Sequence, residues 1–282
     1  RVVTSPITFL ASANCAAYVG AIPDFSDIDP TSYCLSPDAL EENWKEDTKA
    51  VVAVDFAGQP AEMPRIAEIS RSRGAVVIED ACHAVGGKFW FKDNEYTIGG
   101  HPWADMTTFS FHPVKTMTTG EGGMVVTDNK VYAERMRCLR GHGMVRDPQQ
   151  FLQFNTKSGP VKEEQVGQLY EMPELGYNFR LSYIHAAIGL SQLRRLDRFI
   201  QRREQIVKGY NQLFGLCSNI ETPEVSSWLK ESEKAHGHSW HLYVIQIDFS
   251  RLHCSRSELI SKLRLNQVGT QVHYIPVYYQ PW

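Results

Sequence analysis

Apolar and polar positions in the first 130 residues switch repeatedly between a period near two and a period near 3.6. "IPDFSDID" (22–29), "AVVAVDF" (50–56) and "AVVIED" (75–80) read as extended segments. Between them "TFLASANCAAYVG" (8–20), "SPDALEENWKEDTK" (36–49) and "EMPRIAEISRSRG" (62–74) read as helices, the second capped by Ser36 and the third ended by Gly74. "ADMTTFSF" (104–111) is rich in Thr and Phe and predicts a strand entering a core, and "GGMVVTDN" (122–129) predicts a second buried strand. Short Val-rich runs separated by helices predict a mostly parallel sheet covered on both faces, an α/β fold. Ligands of such sheets gather at the carboxyl ends of the strands. Asp55, Asp80 and "CHAVGG" fall at those ends.

Further along, "VYAERMRCLRGHGM" (131–144) predicts a helix, and the polar, irregular stretch from Asp147 to Glu174 predicts a mobile or interface segment. One long helix is expected from about Ser182 to Leu213, its Arg-rich faces solvated or between subunits. "HLYVIQIDF" (241–249), "SRSELISKLRLNQVG" (255–269) and "TQVHYIP" (270–276) then predict a strand, a helix and a strand of a smaller α/β domain. The boundary falls between 185 and 215, dividing the chain into a large domain, 1–195, and a small one, 196–282.

Composition narrows the class. The 282 residues suffice for a sizeable core. A net charge of -3 gives no reason to expect nucleic acid or an anionic membrane as partner. No apolar run reaches the roughly 18 residues of a membrane span, so a cytoplasmic protein is expected. The six cysteines have no CxxC spacing, which predicts reduced, mostly buried thiols rather than a zinc site or a disulfide framework. In "HGHSWH" the spacing of His236, His238 and His241 fits no standard ligand set, so no metal is expected and a solvent-exposed lead-in to a strand is. The chain begins at Arg1 on a strand-like segment and ends on "VHYIPVYYQPW", the pattern expected of part of a longer protein.

In "SFHPVKTMTTGEGG" (110–123) a single lysine, Lys115, lies on the connection between two predicted buried strands. Desolvation there lowers the amine's pKa and favours the nucleophilic neutral form; the alternative is a surface lysine in a hairpin loop. Asp80 closes a buried strand, either as a turn former or as a carboxylate presented at the strand end. An acid and a lysine so placed have a joint use, since a pyridinium nitrogen needs a carboxylate and the aldehyde of pyridoxal 5'-phosphate needs a lysine for its Schiff base. Ser110, five residues before Lys115, either faces solvent or reaches a phosphate. "GEGG" lacks the GxxxxGK[ST] order of a P-loop.

Seven blocks occur in order: "ITFLASANCAAYVGAIPDFSDID", "VVAVDFAGQPAEM", "VVIEDACHAVGG", "FSFHPVKTMTTGEGGMVVT", "LRGHGM", "GYNFRLSYIHAAIGLSQL" and "TQVHYIPVYYQPW". Together they resemble the nucleotide-sugar aminotransferases of the DegT/DnrJ/EryC1/StrS type across essentially the whole chain. The resemblance implies an aspartate-aminotransferase-like fold, pyridoxal 5'-phosphate as cofactor and a homodimer with shared active sites. It makes Lys115 the Schiff-base lysine and proton shuttle, Asp80 the pyridinium partner and His83 a neighbour of the ring's 3-hydroxyl. Phe9 would stack on the pyridine face, Ser110 would bind the phosphate, and Asn178 would reach the neighbouring subunit's cofactor or phosphate. His273 and Tyr274 would line the substrate pocket. The blocks look nearest the pseudaminic acid branch, which implies transfer of an amino group from glutamate to C4 of a UDP-4-keto-6-deoxy-N-acetylhexosamine. Other sugar aminotransferases, or a catalytically incomplete cofactor-binding piece, are the alternatives; sugar 3-dehydratases carry histidine where Lys115 stands. A phosphate-cradling turn is expected before Arg1, and further small-domain elements after Trp282.

Overall fold

The computed structural model describes residues 1–152, 167, 169–230 and 237–281. Its centre is a sheet of β1 (Val2–Thr4), β2 (Pro23–Phe25), β3 (Ala50–Val54), β4 (Val76–Asp80), β7 (Met106–Ser110) and β8 (Gly123–Val126), in the order β2-β1-β3-β4-β7-β8. Every pairing is parallel except β7 with β8. This is the α/β, mostly parallel sheet that the Val-rich runs predict. The register sets Val54 beside Asp80 and Asp80 beside Thr108, so β3, β4 and β7 end side by side. Helices α1 (Ala11–Tyr18), α2 (Pro37–Glu42) and α3 (Met63–Ser72) occupy the crossovers, and Leu40, Met63 and Ile66 pack with Val51, Ala53 and Val77 in the main core.

Local chemistry explains the helix ends. Ser36 accepts from Ala39 N as the N-cap of α2, whose Pro37 sits in the first turn. This helix stops at Glu42, well short of the predicted Lys49, because Asn43 leaves the helical region and bonds back to Ala39 O. Gly74 follows α3 at φ 72°, a left-handed position that glycine takes without strain. Asn129 caps α4 (Lys130–Leu139), which ends earlier than "VYAERMRCLRGHGM" suggests because Gly141 turns to bridge Asn178.

Several expectations are corrected. Strand β8 is the outermost strand, with Gly123, Met124 and Val125 exposed, so Lys115 does not lie between two buried strands. The expected single helix from 182 to 213 is two, α5 (Tyr183–Leu193) and α6 (Leu196–Phe214), parted at Arg194 and Arg195. Not all of its arginines are solvated, as Arg203 turns inward to backbone carbonyls. The aromatic hairpin β5 (Lys88–Phe91) and β6 (Asn94–Thr97) has no counterpart in the sequence reading; its turn is Lys92–Asp93, both at positive φ.

In the C-terminal part, "HLYVIQIDF" yields only β10 (Gln246–Ile247), antiparallel to β9 (Ile220–Glu221). "TQVHYIP" forms no strand, because a strand exists only where a neighbour completes its ladder and none lies beside residues 270–276 among those described. Among the described residues the remaining α-helices are α7 (Ser227–Lys230) and α8 (Arg256–Leu265), the latter opened by a Ser255–Glu258 capping box. The cysteines are unpaired, but only Cys34 is fully buried, since the others sit on helix faces and turns at the surface margin. Most of the polar segment 161–168 lies outside the described residues. Among the described residues, no helix is long and apolar enough to cross a membrane.

Candidate active site

Asp80 is the last residue of β4, and its carboxylate is held from two sides. Ser12 Oγ, on α1, donates to Oδ2 at 2.7 Å, and Cys82 N donates to Oδ1 at 3.2 Å. Ser12 is itself buried and shares a 2.8 Å hydrogen bond with Thr8 Oγ1. The crossover from β1 to β2 thus fixes the orientation of an acid on β4.

Lys115 sits in the turn from β7 to β8. Phe111 organises that turn, its N donating to Gly122 O and its O accepting from Thr119 N and Thr118 Oγ1. The lysine side chain is half-buried, and burial pushes its amine below the ordinary 10.5, while nearby Cys82 and Asp80 pull it partly back. An amine with a depressed pKa beside a fixed carboxylate is the combination that the sequence points to.

His83 follows Asp80 by three residues and is buried against Phe56, ring centroids 6.2 Å apart, and against His241 at 4.4 Å. Burial above all, then Lys115, His241 and His273, drives its pKa down to about 2, so the ring is neutral at ordinary pH. Tyr274 Oη lies 3.5 Å from His83 Nε2, and burial, with Asp80 and Cys82, holds the phenol up at about 12. The Phe9 ring is 61% exposed, 6.5 Å from that of Tyr274. His273, next to Tyr274, is lowered by burial and by Lys115.

The structure therefore gathers Phe9, Asp80, His83, Lys115, His273 and Tyr274. Ser110 ends β7, where its Oγ accepts from His112 N at 3.4 Å. Asn178 is exposed and bridges Gly141, and it shares no hydrogen bond or ring contact with the Asp80 group.

Sequence reasoning misses Thr8, Ser12, Cys82, Phe56 and His241. Ser12 carried a usable signal, a polar residue in a helix otherwise rich in Ala, at the carboxyl end of β1. His241 was expected in an exposed lead-in; instead it is mostly buried against His83, with its pKa pushed down to about 3 by burial first and then by Lys115, Arg203 and His273. His238 is buried too, stacked on Trp240, while His236 lies outside the described residues. No group of three or more His, Cys, Asp or Glu able to hold a metal occurs among the described residues.

A mostly parallel sheet thus presents a carboxylate fixed at the end of β4 close to a lysine of lowered pKa in the turn after β7. The chain belongs to the DegT/DnrJ/EryC1/StrS aminotransferase family, which it matches over residues 1–282, and so to the pyridoxal-phosphate-dependent sugar aminotransferases. It is 34% identical over 283 residues to the UDP-4-amino-4,6-dideoxy-N-acetyl-beta-L-altrosamine transaminase of Campylobacter jejuni, covering 98% of this chain and 66% of that one. Helicobacter pylori PseC, an aminotransferase of pseudaminic acid biosynthesis, superposes with TM-score 0.81 at 30% identity over 99% of this chain and 67% of its own. Spr1654 of Streptococcus pneumoniae in its PMP form superposes with TM-score 0.79 at 25% identity over 99% of this chain and 68% of its own. It is also solved in a PLP form. The chain spans about two thirds of the length of these relatives.

Proposed function

We propose that this chain carries the amino-transfer site of a nucleotide-sugar aminotransferase, with pyridoxal 5'-phosphate as cofactor and glutamate as donor. The acceptor would be C4 of a UDP-4-keto-6-deoxy-N-acetylhexosamine of the pseudaminic acid type. The half-buried Lys115 amine, held below its ordinary range beside the fixed Asp80 carboxylate, carries this reading. The likeness to the altrosamine transaminase of Campylobacter and to the pseudaminic acid aminotransferase of Helicobacter supports the sugar.

The residues present fit the cofactor. Phe9 offers an exposed aromatic face, Asp80 a carboxylate with both oxygens oriented, and His83 a neutral ring. Pyridoxal phosphate, when bound, supplies an electron sink for the carbon that bears the amine. Asp80 would hold a proton on the ring nitrogen, because a carboxylate fixed by Ser12 and Cys82 N is a preorganised partner for a cation. Lys115 Nζ would take the proton from the donor carbon and return it, which requires the neutral amine that burial favours. Phe9 would pack on the flat ring. Ser110 Oγ would donate to the phosphate, and Asn178, exposed and apart from its own site, would serve the site of a partner copy. His273 and Tyr274 would line the sugar pocket. The division into 1–195 and 196–282 puts the cofactor residues in the first part and those two in the second. Nucleotide sugars and glutamate suit a cytoplasmic protein.

The test is covalent labelling followed by a substrate panel. Wild type reduced with borohydride in the presence of pyridoxal phosphate is expected to retain the label on the peptide containing Lys115, and Lys115→Ala to retain none there. Label elsewhere at full yield overturns the assignment. Amine transfer to UDP- and TDP-4-keto-6-deoxy sugars then decides the acceptor, and a preference for another sugar moves the reading to another 3- or 4-aminotransferase. Loading without transfer to any of them marks a cofactor-binding piece alone.

A further inference from the structure

Two histidine rings meet beside Lys115, and only His83 is marked by the sequence. The other, His241, lies in a segment fixed from several sides. Ser239 N donates to Gly58 O at 2.8 Å, Ser239 Oγ to His83 O at 2.8 Å, and Leu242 N to Ala57 O at 3.1 Å. Arg203, on α6, donates Nη1 to the carbonyls of Trp240 at 2.8 Å and His241 at 3.2 Å. A Cβ on Gly58 would strike Ser239 Oγ and come within 2.9 Å of His83 O, so glycine is what lets the two segments meet. These bonds leave the His241 ring 4.4 Å from that of His83.

Nδ1 of each ring is sealed from solvent and meets no donor or acceptor. A buried N–H without an acceptor is rarer in folded proteins than an acceptor without a donor, and it forfeits about 1–3 kcal/mol of hydration. The proton of each neutral ring therefore belongs on Nε2. For His83 that nitrogen faces Tyr274 Oη. For His241, Nε2 has no hydrogen-bond partner among the described residues. Lys115 is close enough to lower the basicity of both rings, and Arg203 and His273 add to this at His241. The ring thus brings a donor without a charge to the lysine's side.

We propose that His241 Nε2–H is a hydrogen-bond donor to the carbonyl oxygen of the keto substrate beside Lys115, a catalytic contact of the second part of the chain. The proposal rests on the aminotransferase reading. A neutral donor orients and polarises that carbonyl without repelling the lysine amine, as an imidazolium would.

Two measurements test it. Long-range 1H–15N correlation spectra of the cofactor-free protein at pH 6–8 are expected to show His241 protonated on Nε2 with Nδ1 bare. A proton on Nδ1, or an imidazolium at pH 6, overturns the proposal. In parallel, His241→Phe and His241→Gln are compared with wild type for pyridoxal phosphate loading by visible absorbance, and for kcat/KM in transfer to the UDP-4-keto-6-deoxy-N-acetylhexosamine. His241→Phe is expected to load as wild type does and to lose at least about tenfold in kcat/KM for the keto sugar. His241→Gln, which keeps an N–H donor, is expected to recover part of that loss. Equal kcat/KM for His241→Phe and wild type overturns the contact. A wild type that neither loads nor transfers defeats the aminotransferase reading instead, and the tautomer spectra still decide whether His241 is a donor.

Discussion

Buried imidazoles and a buried acid pull the stability of this chain in opposite directions as pH changes. His83 and His241 take up protons at about 2 and about 3 in the folded state, against 6.5 when exposed. Between those limits the unfolded chain binds more protons, so both make stability rise with pH up to about 6.5. Asp55 is fully buried, and burial with the neighbouring Glu79 carboxyl raises its pKa well above 3.8, so from 3.8 upward it makes stability fall as pH rises. With His273, whose pKa burial also lowers, these rising contributions exceed the one falling contribution and leave a net rise from about pH 4 to 6.5, of order 1.4 kcal/mol per pH unit for one uncompensated group. Urea unfolding at pH 4.5, 5.5 and 6.5 is expected to show that rise, and a flat or falling series contradicts the burial of the two rings. The same scale holds the Ser12–Asp80 contact. Ser12→Ala removes one of the two donors to the Asp80 carboxylate, a charge-assisted bond worth about 1.5–3 kcal/mol. Pyridoxal phosphate titration of this variant is expected to show affinity about tenfold or more below wild type, while equal affinity makes the Ser12 bond incidental.

At the scale of elements, the sequence carries the inner strands β3 and β4 well because they lie within the sheet and read as apolar runs. Asp80 is legible for the same reason, since it closes such a run, and Lys115 is legible as the single lysine in the glycine-rich turn between β7 and β8. The aromatic hairpin β5–β6 is also written in the chain, since "KFWF" and "NEYT" flank a turn at Lys92–Asp93, and only its turn chemistry needed to be read. His241 is different. The alternation in "HLYVIQID" is a real strand pattern, but its neighbour in space is the turn at Gly58; the pairing of Ser239 with Gly58 and His83 is long-range, with separations of 181 and 156 residues, and no local period encodes it. A second long-range fit joins the end of α4 to the segment before α5. Gly143 is left-handed at φ 70°, and a Cβ there would overlap the Glu174 carbonyl oxygen. The backbones that place Asn178 beside Gly141 touch at this point. Gly143→Ala is therefore expected to lower stability by about 1–3 kcal/mol, measured by urea unfolding. An unchanged midpoint shows that the two backbones can separate freely.

Among the described residues of the whole molecule, large apolar side chains stand exposed on both sides of Asn178 in the chain, which does not touch the Asp80 group. Tyr183 is 95% exposed and Ile184 75%, both in the first turn of α5, and Leu190 and Leu193 continue the helix in the open. Tyr177 and Phe179 stack on each other at 4.9 Å, both exposed, on either side of Asn178. Contiguous apolar patches of this kind mark association surfaces, and a two-fold pair of identical chains is the commonest way to close one. A second copy seated here would bury Tyr183 and Ile184 and carry Asn178 toward the other copy's site, as its exposure apart from Asp80 and Lys115 suggests. Sedimentation velocity is expected to show a dimer, and Ile184→Glu, which puts a charge into the patch, is expected to shift it toward monomer. Because Ile184 contributes nothing to the buried core, the variant monomer should keep its far-UV spectrum. A wild type that stays monomeric across the concentration range, yet binds pyridoxal phosphate as tightly as a dimer would require, makes Asn178 a surface residue and the site complete within one chain.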